Sequence, residues 1–293
     1  MAGLKEIRLR IASVSSTKQI TNAMKMVSAA KLRKAQNAIT KIRPYAEKLH
    51  EILANLSESL DTTTENIYAQ QREQEKILII VLSSNRGLCG AFNTNAIKKA
   101  IQQTTEQYKE QFENGDIEFL AIGKKAAEIL GNKDYNIIGE YHELYDSLDF
   151  QNAAKVAESV MQYFVGNEYD HVELIYNQFK NAAVQVLTVE QFLPIKIKES
   201  TDKNSYFRDY IFEPSKEYIV QNLIPSSLKI QFYKALLDSH AAEHGARMTA
   251  MHKATDNATQ LIKDLKLTYN KARQAAITKE ILEIVGGAEA LKG

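Results

Sequence analysis

Two short stretches of the sequence contain residue types that could do chemistry. The first, His240-Ala-Ala-Glu243-His244, fits the H-x-x-E-H pattern of one class of zinc proteases. Histidines four residues apart lie on one face of a helix and could hold zinc, with Glu243 as the general base. The pattern is short, and a third ligand would have to come from elsewhere in the chain. We therefore favour the simpler interpretation, in which these are solvated residues on a long helix.

The second stretch is SSNRGLCGAFN (83–93), which follows the apolar run ILIIVL (77–82). Phosphate-binding loops occupy such strand-to-helix turns, but they need G-x-x-x-x-G-K-[ST] or G-x-G-x-x-G. Here Gly87 and Gly90 are three residues apart, and no Lys-Ser/Thr pair follows. Cys89, the only cysteine, would need a neighbouring base to act as a nucleophile, and the sequence offers none nearby. We interpret the stretch as a turn, and we predict no catalytic, cofactor-binding or metal-binding residue.

Composition sets the broad class of the protein. The 293 residues are enough for one or two domains, and 44% hydrophobic with 25% charged residues is ordinary for a globular chain. A single cysteine excludes an internal disulfide and a cysteine-based metal cluster. No apolar run approaches the ~18 residues of a membrane span.

Charge is distributed unevenly, although the formal net charge is only +1. Glu6 and Glu47 are the only acidic residues among the first fifty, whereas the region 102–149 is rich in acids. A basic helix can serve nucleic acid, anionic lipid or an acidic protein. Nucleic-acid binding would want aromatic residues among the cations, but the first aromatic is Tyr45, and the bulky apolar face that lipid binding needs is also absent. We predict an acidic protein partner and no nucleic acid.

The first long segment, Leu4–Arg43, contains neither proline nor glycine and has apolar residues at helical spacing. From Ala38 onward the spacing is 4-3-4-3-4, which is that of a heptad seam, and Pro44 is expected to kink the helix. Polar residues weaken the seam between Ser15 and Thr21. The predicted seam residues are Leu4, Ile7, Ile11, Val14, Ile20, Met24, Val27, Ala38, Ile42, Tyr45, Leu49, Ile52 and Leu56.

The last long segment has similar spacing. Pro214 and Pro225 mark places where a helix could begin, and Gly286–Gly287 should terminate it. As one helix, Ser226–Val285 would be roughly 90 Å long. The predicted seam residues are Leu228, Phe232, Ala235, Ser239, Ala242, Ala246, Leu261, Leu265, Thr268, Ala272 and Ala275.

Between these segments, strand-like and helix-like patterns alternate, which predicts a parallel sheet with crossover helices. The last two strands are joined by the short connection 180–182 and should form an antiparallel hairpin. The predicted strands are 76–83, 117–122, 135–138, 171–179 and 183–193, and the predicted helices are 91–112, 123–130 and 150–165. The polar segments 61–75 and 196–208 are predicted to be linkers.

Neither terminal helix can bury its seam alone, so the simplest fold pairs them. We predict an α/β fold class, in which a long antiparallel coiled coil of the N- and C-terminal helices carries an inserted small α/β, Rossmann-like domain. The predicted parts are an N-terminal helix (1–60), an α/β foot domain (76–195) and a C-terminal helix (210–293) that pairs with the first.

Three stretches resemble one family in the right order. LKEIRLRIASVSSTKQITNAMKMVSAAKLRKAQ (4–36) resembles the N-terminal helix of the gamma subunits of rotary F-type ATP synthases, bacterial type. ARMTAMHKATDNATQLIKDLKLTYNKARQAAITKEILEIVGGAEAL (246–291) resembles the C-terminal helix of that family, and SSNRGLCG (83–90) matches its S-[DS]-x-R-G-L-C-G turn. Together they cover about a third of the chain.

The resemblance implies a non-catalytic rotor in the central stalk, one that couples transmembrane proton or other ion flow to ATP synthesis or hydrolysis. The implied partners are the catalytic and non-catalytic nucleotide-binding subunits of the head, an epsilon-type small stalk subunit and a membrane ring of ion-carrying subunits, with no cofactor. The implied subunit-contact residues on the shaft are Met24, Lys25, Met26, Lys31, Arg33, Arg247, Arg273, Gln274, Thr278 and Glu280. Met24 could instead belong to the coiled-coil seam, and Arg273 could be a solvated residue.

The expected location is peripheral, on the cytoplasmic face of a bacterial inner membrane. A basic start that contains serine and few acids is also typical of a mitochondrial presequence. The family's first helix begins at Leu4, which favours a bacterial chain. With Cys89 alone, the chain lacks the paired-cysteine switch of plastid relatives.

Overall fold

A computed structural model describes residues 3–58, 67–195 and 216–290. The chain divides into a terminal unit (Met1–Ser28 with Met248–Gly293) and a central unit (Ala29–Arg247). Pro214, the whole of the predicted linker 196–208 and the first part (61–66) of the predicted linker 61–75 lie outside the described residues. Within the described ranges, no helix combines the length and apolar character that crossing a membrane requires.

Two long helices form the ends of the chain, α1 (Leu4–Glu58) and α6 (Lys216–Ala290). Both continue through a proline, Pro44 in α1 and Pro225 in α6, so the predicted restart at Pro225 is wrong. A proline removes one helical hydrogen bond, and buried neighbours such as Ile224 and Leu228 hold α6 across it. The predicted stop at Gly286–Gly287 is also wrong, because glycine inside a helix costs only about 1 kcal/mol and does not by itself end it.

In the terminal unit, α1 and α6 pack antiparallel. The Arg8 Nη2 atom donates to Tyr269 Oη at 2.8 Å, and the Thr21 and Thr255 hydroxyls are 2.9 Å apart. Higher numbers on α1 therefore pair with lower numbers on α6. Antiparallel pairing of the two terminal helices was predicted and is confirmed.

The predicted seam of this unit includes Ile7, which is buried, but two later members lie one residue before the buried positions. Thr21 and Ser28 are buried, whereas Ile20 and Val27, which were predicted to be buried, are 60% and 58% exposed. The burial repeats every seven residues from Ile7, so that polar residues occupy seam positions. On α6, Met251, Thr255 and Ala258 are buried. Of the predicted seam residues that follow, Leu265 and Ala272 are half-buried, whereas Leu261, Thr268 and Ala275 are exposed.

In the central unit the two helices are again antiparallel, and Arg43 Nη2 lies 2.7 Å from Asp238 Oδ1. Leu32, Ala35 and Ile39 of α1 are buried, but Tyr45, a predicted seam residue, is 56% exposed. The stripe predicted on α6 is confirmed as far as Ala242: its buried members are Leu228, Phe232, Ala235, Ser239 and Ala242.

The sheet of the central unit has five strands in the order β3-β2-β1-β4-β5. The first four are parallel, and β5 pairs antiparallel with β4, as predicted. The strands are β1 (Ile77–Leu82), β2 (Ile117–Ile122), β3 (Ile137–Glu140), β4 (His171–Phe179) and β5 (Gln185–Leu193). The third strand is shifted by two residues from its predicted position.

Helices cover both faces of this sheet. They are α2 (Phe92–Gln102), α3 (Lys109–Asn114), α4 (Lys124–Gly131) and α5 (Phe150–Val165). The single helix predicted over 91–112 is divided by a π-helical turn, Gln103–Gln107. Tyr108 leaves the helical conformation there, and its buried hydroxyl donates to Glu173 Oε1 at 2.6 Å. This buried polar contact accounts for the interruption.

Alternate residues of β1 face two separate cores. Leu78, Ile80 and Leu82 pack with residues of α5 and α6. Ile77 and Ile79 pack with α2 and α4 on the opposite face. Every side chain of β1 is buried, so the turn that follows it begins from a rigid central strand.

Candidate functional site

The two stretches that suggested chemistry meet in the central unit, where α6 approaches the turn between β1 and α2. The turn is held from inside by Asn93, whose Oδ1 accepts from the Ser84 backbone N–H at 2.9 Å. The Asn93 Nδ2 group also donates to Ser84 Oγ at 2.8 Å. Asn85 ties the turn to its neighbours by donating to the His142 carbonyl and accepting from the Lys124 N–H. The prediction of a strand-to-helix turn is confirmed.

Close packing fixes the base of the turn. Gly123 has a φ of 100°, and a Cβ added to it would collide with the carbonyl of Ser83. The Ser83 hydroxyl in turn accepts from the Ala126 N–H at 2.9 Å, near the start of α4. Only glycine allows β1 and the start of α4 to approach this closely.

Cys89 is buried inside the turn, with 1% of its surface exposed. Its sulfur accepts from Asn93 Nδ2 at 3.3 Å and lies 3.7 Å from Ser84 Oγ. The third contact is the Arg86 carbonyl. None of these groups is a base, so the geometry favours a structural role for the thiol over a nucleophilic one.

Arg247 of α6 is the residue that holds the turn from outside. Its Nη2 atom donates to the Arg86 carbonyl at 2.8 Å, and its Nε donates to the Gly87 carbonyl at 3.3 Å. Its Nη1 atom lies 2.5 Å from Glu243 Oε1, one helical turn earlier. The arginine and the glutamate are both buried, and the desolvation raises the pKa of Glu243 while Arg247 opposes that shift. The guanidinium thus joins α6 to the β1–α2 turn.

His240 and His244 form a hydrogen-bonded pair beside this contact. Their Nε2 atoms are 3.1 Å apart, so one nitrogen carries the proton and the other accepts it. Arg247 Nη1 lies 3.4 Å from His244 Nδ1 and can only donate, which assigns the proton of His244 to Nε2 and makes His240 Nε2 the acceptor. Burial lowers the pKa of His240 to about 4 and that of His244 to about 3, with the cation Lys31 contributing to both. Both imidazoles are therefore neutral at pH 7.

The H-x-x-E-H pattern does not form a zinc site. Glu243 is engaged by Arg247, and the described residues contain no group of three His, Cys, Asp or Glu side chains that could hold a metal ion. The expectation of solvated residues is also wrong, because Glu243 and His244 are 7% and 5% exposed. The ring of Tyr145 stacks on His240 at 5.9 Å, so the face that appeared free in the sequence is packed. Arg247, four residues after Glu243, was the sequence signal for the pairing.

The predicted subunit-contact residues fall in both units. In the terminal unit, Met24 and Lys25 are half-buried, whereas the other five are exposed: Met26, Arg273, Gln274, Thr278 and Glu280. In the central unit, Lys31 and Arg33 are exposed, but Arg247 is buried and bonded within the chain. Of these predicted residues, Arg247 is the one that bonds the β1–α2 turn. The others are distributed along α1 and α6.

Sequence reasoning missed an apolar stripe near the end of α6. Ile277, Ile281 and Ile284 follow one another at helical spacing and are 48%, 54% and 71% exposed. Leu282 and Val285, on the adjoining face, are 66% and 55% exposed. The spacing of these residues is visible in the sequence, but the predicted seam ended at Ala275 and assigned them no role.

The sequence of this chain is similar to those of known proteins over its whole length. The model of a family described as ATP synthase matches residues 3–291. The ATP synthase gamma chain of Flavobacterium johnsoniae is 59% identical over 293 residues, which are the whole of both chains. The ATP synthase gamma chain of Cytophaga hutchinsonii is 57% identical over 99% of each chain.

Two solved structures have a similar fold. One is the central stalk and c-ring of the mitochondrial ATP synthase of Tetrahymena thermophila, with a TM-score of 0.58 and 25% identity. That match covers 80% of this chain and 99% of the other. The second is a chain of the Euglena gracilis mitochondrial ATP synthase in rotational state 3, with a TM-score of 0.67, 23% identity and coverage of 98% and 94%.

Proposed function

The chain belongs to the family of ATP synthase gamma chains, and from this premise we propose that it is the central-stalk rotor of a bacterial ATP synthase. Its role is to couple transmembrane proton or other ion flow to ATP synthesis or hydrolysis by rotating inside a ring of nucleotide-binding subunits, without an active site of its own. The observation that carries this proposal is the full-length identity of 59% to a named gamma chain. The antiparallel pairing of α1 and α6 provides the shaft.

Two unequal helices suit this task because their combined cross-section has no threefold symmetry. A shaft changes the affinities of surrounding sites only if it contacts their conformers differently. Three identical sites around such a shaft must therefore differ at any instant, and nucleotide occupancy must in turn act on the shaft. The two helices are unequal here: the buried residues include Thr21 and Ser28 on α1 but Met251 and Thr255 on α6.

The exposed apolar stripe of α6 supports a contact between this helix and the head. Arg8 pairs with Tyr269, and α1 begins at Leu4, so the register leaves residues beyond about 273 without an α1 partner in the described part of the terminal unit. Ile277, Ile281 and Ile284 then form an apolar face that no other described part of the chain covers, and we propose that another chain covers it. We assign this face to the interior of the head, together with the predicted contacts at Thr278 and Glu280.

The charge distribution supports acidic surfaces as partners of the shaft. Lys31 and Arg33 are exposed, and Lys25 is half-buried with its ammonium able to reach solvent along its stem. Cations on such a stretch attract acidic loops while leaving each contact weak, as a turning shaft requires. The α/β part of the central unit is assigned to the membrane ring and to an epsilon-type small subunit. We therefore propose a peripheral location on the cytoplasmic face of the inner membrane.

The proposal is tested by expressing the chain with the other subunits of its complex and purifying the assembly. We expect nucleotide-binding subunits to co-purify and membrane vesicles to show ATP-driven proton pumping that depends on this chain. Truncation after residue 273 should reduce pumping while α/β folding, measured by circular dichroism, is retained. A matched truncation after Gly287 removes no residue of the stripe and serves as the control. A chain that assembles with no nucleotide-binding subunit would refute the proposal.

A further inference from the structure

The helical segment between β1 and β2 is interrupted although it contains no helix-breaking residue. Residues 91–112 include neither glycine nor proline, and their pattern predicts one continuous helix. The π-helical turn Gln103–Gln107 divides this segment, and the Tyr108 N–H bonds the Gln103 carbonyl, five residues back, at 3.1 Å. A regular helix would use the Thr104 carbonyl instead. Turns of this kind inside α-helices occur frequently at functional sites.

A buried polar cluster joins this turn to β4. The Tyr108 hydroxyl donates to Glu173 Oε1 at 2.6 Å, and a carboxylate can only accept, so the hydroxyl has no further proton to donate. His171 Nε2 lies 3.1 Å from the same hydroxyl and 3.3 Å from Glu173 Oε1, and it must therefore be a donor. Gln107 Nε2 also donates to the hydroxyl, at 3.2 Å. Tyr108 thus links the turn to the charged group on β4.

The cluster depends on the charge of Glu173. This residue is 5% exposed, and its Oε2 atom has no hydrogen-bond partner among the described residues. Desolvation acts to raise the pKa of Glu173, but the hydrogen bonds from His171 and Tyr108 outweigh it, so the pKa lies below its ordinary value. The folded chain therefore favours the carboxylate, and a proton on Glu173 would weaken its bond to Tyr108.

The other groups around this carboxylate are uncharged. Gln103, in the interrupted helix, also lowers the pKa of Glu173 through a hydrogen bond. The neighbours of Glu173 in register are Ile79 on β1 and Gln191 on β5. A change in the charge of Glu173 is therefore compensated by no other ion in these positions except a protonated His171.

A change of register at the turn would move α3. A π-helical turn contains one residue more than a regular turn, so its loss rotates α3 by about 100° relative to α2. The present register places Gln111 Nε2 2.8 Å from the Gln74 carbonyl and the Phe112 ring 5.8 Å from that of Tyr135. These contacts and the cluster favour one register, whereas the local sequence favours the other. Opposing preferences of this kind are what a two-state element requires.

We propose that residues 102–114 form a two-state helix in the α/β part of the central unit. The Glu173 carboxylate holds the π-helical register through Tyr108, and neutralisation of that charge by a proton releases a continuous α-helix in which α3 has turned. The exposed side chains of Lys109, Glu110 and Glu113 turn with α3, so the charges that this face presents to a partner depend on the state of Glu173. The switch is a property of the chain by itself and would operate whether or not the chain is a rotor.

A tryptophan at position 112 reports the register. The chain has no tryptophan, so Phe112→Trp introduces a single indole beside Tyr135. In this full-length background at pH 8, Glu173→Gln mimics the protonated side chain. We expect it to shift the emission maximum and to raise the released fraction about tenfold, the size of losing one hydrogen bond to a charged group. With Glu173 unchanged, the same shift should appear only in acid, below the ordinary pKa of a glutamate.

Tyr108→Phe tests the link between the turn and the charge. It keeps the ring and removes the hydroxyl, so it should shift the emission as Glu173→Gln does, and the two effects should not add because both act through one contact. Tyr176→Phe is the matched control, since Tyr176 donates to Glu190 at 2.7 Å in a similar contact on the other face of β4. That control should leave the emission unchanged.

The competing explanation of the turn is local. The Thr104 and Thr105 hydroxyls donate to the Ile101 carbonyl in the preceding turn, and such bonds bend helices without help from a distant strand. Unchanged emission in Glu173→Gln and Tyr108→Phe, with the π-helical turn retained in a crystal structure of Tyr108→Phe, would assign the turn to these threonines and overturn the switch. An emission shift accompanied by loss of far-ultraviolet circular dichroism would indicate unfolding and would overturn it as well.

Discussion

The Arg43–Asp238 ion pair offers the clearest test of how the central unit is held together. Asp238 is fully buried, and Arg43 Nη2 lies 2.7 Å from its Oδ1 atom. The same nitrogen donates to the Phe179 carbonyl at 3.0 Å, so one guanidinium joins α1, α6 and the end of β4. Among the described residues, the second carboxylate oxygen, Oδ2, has no hydrogen-bond partner. The Arg43 guanidinium therefore supplies most of the favourable interaction that offsets the cost of burying the Asp238 carboxylate.

Arg43→Met should destabilise the central unit by about 3 kcal/mol, the lower end of the cost of leaving a buried charge unpaired. The lower end applies because the Arg43 side chain is 36% exposed and solvent already screens part of the attraction. Asp238→Asn should cost less, about 1–2 kcal/mol, since the arginine left behind can be hydrated. The effects should couple in a double-mutant cycle, because both variants disrupt the same contact.

The cost of Arg43→Met should also depend on pH. Burial raises the pKa of Asp238, and Arg43 opposes that shift, so removing the arginine raises the pKa further. A carboxyl with a raised pKa in the folded state contributes stability below its unfolded pKa and loses that contribution as pH rises through the folded pKa. Arg43→Met should therefore lose more stability at pH 8 than at pH 5.

Urea unfolding of the full chain, followed by far-ultraviolet circular dichroism at both pH values, measures these differences. Arg33→Met, on an exposed part of α1, controls for the loss of a surface arginine. Equal destabilisation at pH 5 and pH 8, or equal and additive effects of the two single variants, would refute the account of a buried charge held by one partner.

Three further predictions concern other buried and helical positions. Burial alone would raise the pKa of Glu173, but the hydrogen bonds from His171 and Tyr108 hold that pKa below its ordinary value. The carboxylate therefore stabilises the fold above its unfolded pKa, and this contribution is lost as the pH falls. Glu173→Gln should reduce the fall of the unfolding midpoint between pH 5 and pH 3. Thr21→Val alone should cost about 1 kcal/mol by leaving the Thr255 hydroxyl with fewer partners, whereas the double change to valine should be nearly neutral, which thermal melts of all three variants would check. Gly286→Ala and Gly287→Ala should each stabilise the end of α6 by about 1 kcal/mol, because a Cβ meets nothing there, and unchanged helicity by circular dichroism would contradict this.

Most of the secondary structure could be predicted from the sequence because local pattern determined it. The strand at 117–122 and the helix at 150–165 agree with the structure to the residue, since each is a long apolar pattern bounded by a turn residue. The division of the helix predicted over 91–112 could not be predicted. It depends on Tyr108 reaching Glu173 on a distant strand, and that contact has no signature in the local sequence.

The coiled-coil register was mispredicted for a different reason. The prediction followed hydrophobicity and placed Ile20 and Val27 in the seam, but the seven-residue repeat from Ile7 continues through Thr21 and Ser28. Hydrophobicity identifies a seam only where apolar residues occupy it. Where small polar residues do so, the partner helix decides the register, here through the hydroxyl contact between Thr21 and Thr255.

The two stretches whose residue types suggested chemistry form a structural contact instead. His240, Glu243 and His244 suggested a metal site, and SSNRGLCGAFN suggested a phosphate loop, yet the structure brings the two together through Arg247. The glutamate neutralises the arginine, and the arginine binds the carbonyls of the turn. Residues that can ligate a metal or donate a proton can equally satisfy one another when buried, so a motif alone does not distinguish the two uses.

The contact between Arg247 and the β1–α2 turn also provides a way to transmit force between α6 and the α/β part of the central unit. If rotation is to transmit force, contacts between the long helices and the α/β part must resist shear. Hydrogen bonds from a guanidinium to fixed carbonyls do so better than apolar contacts, which are non-directional. Arg247 makes such bonds at the β1–α2 turn, and Arg43 makes them at the end of β4. These two arginines attach long helices to the carboxyl ends of two neighbouring parallel strands, β1 and β4, through backbone carbonyls. We therefore expect variants of either one to reduce ATP-driven pumping more than ATP hydrolysis, because hydrolysis needs only the head, whereas pumping needs the attachment to bear load.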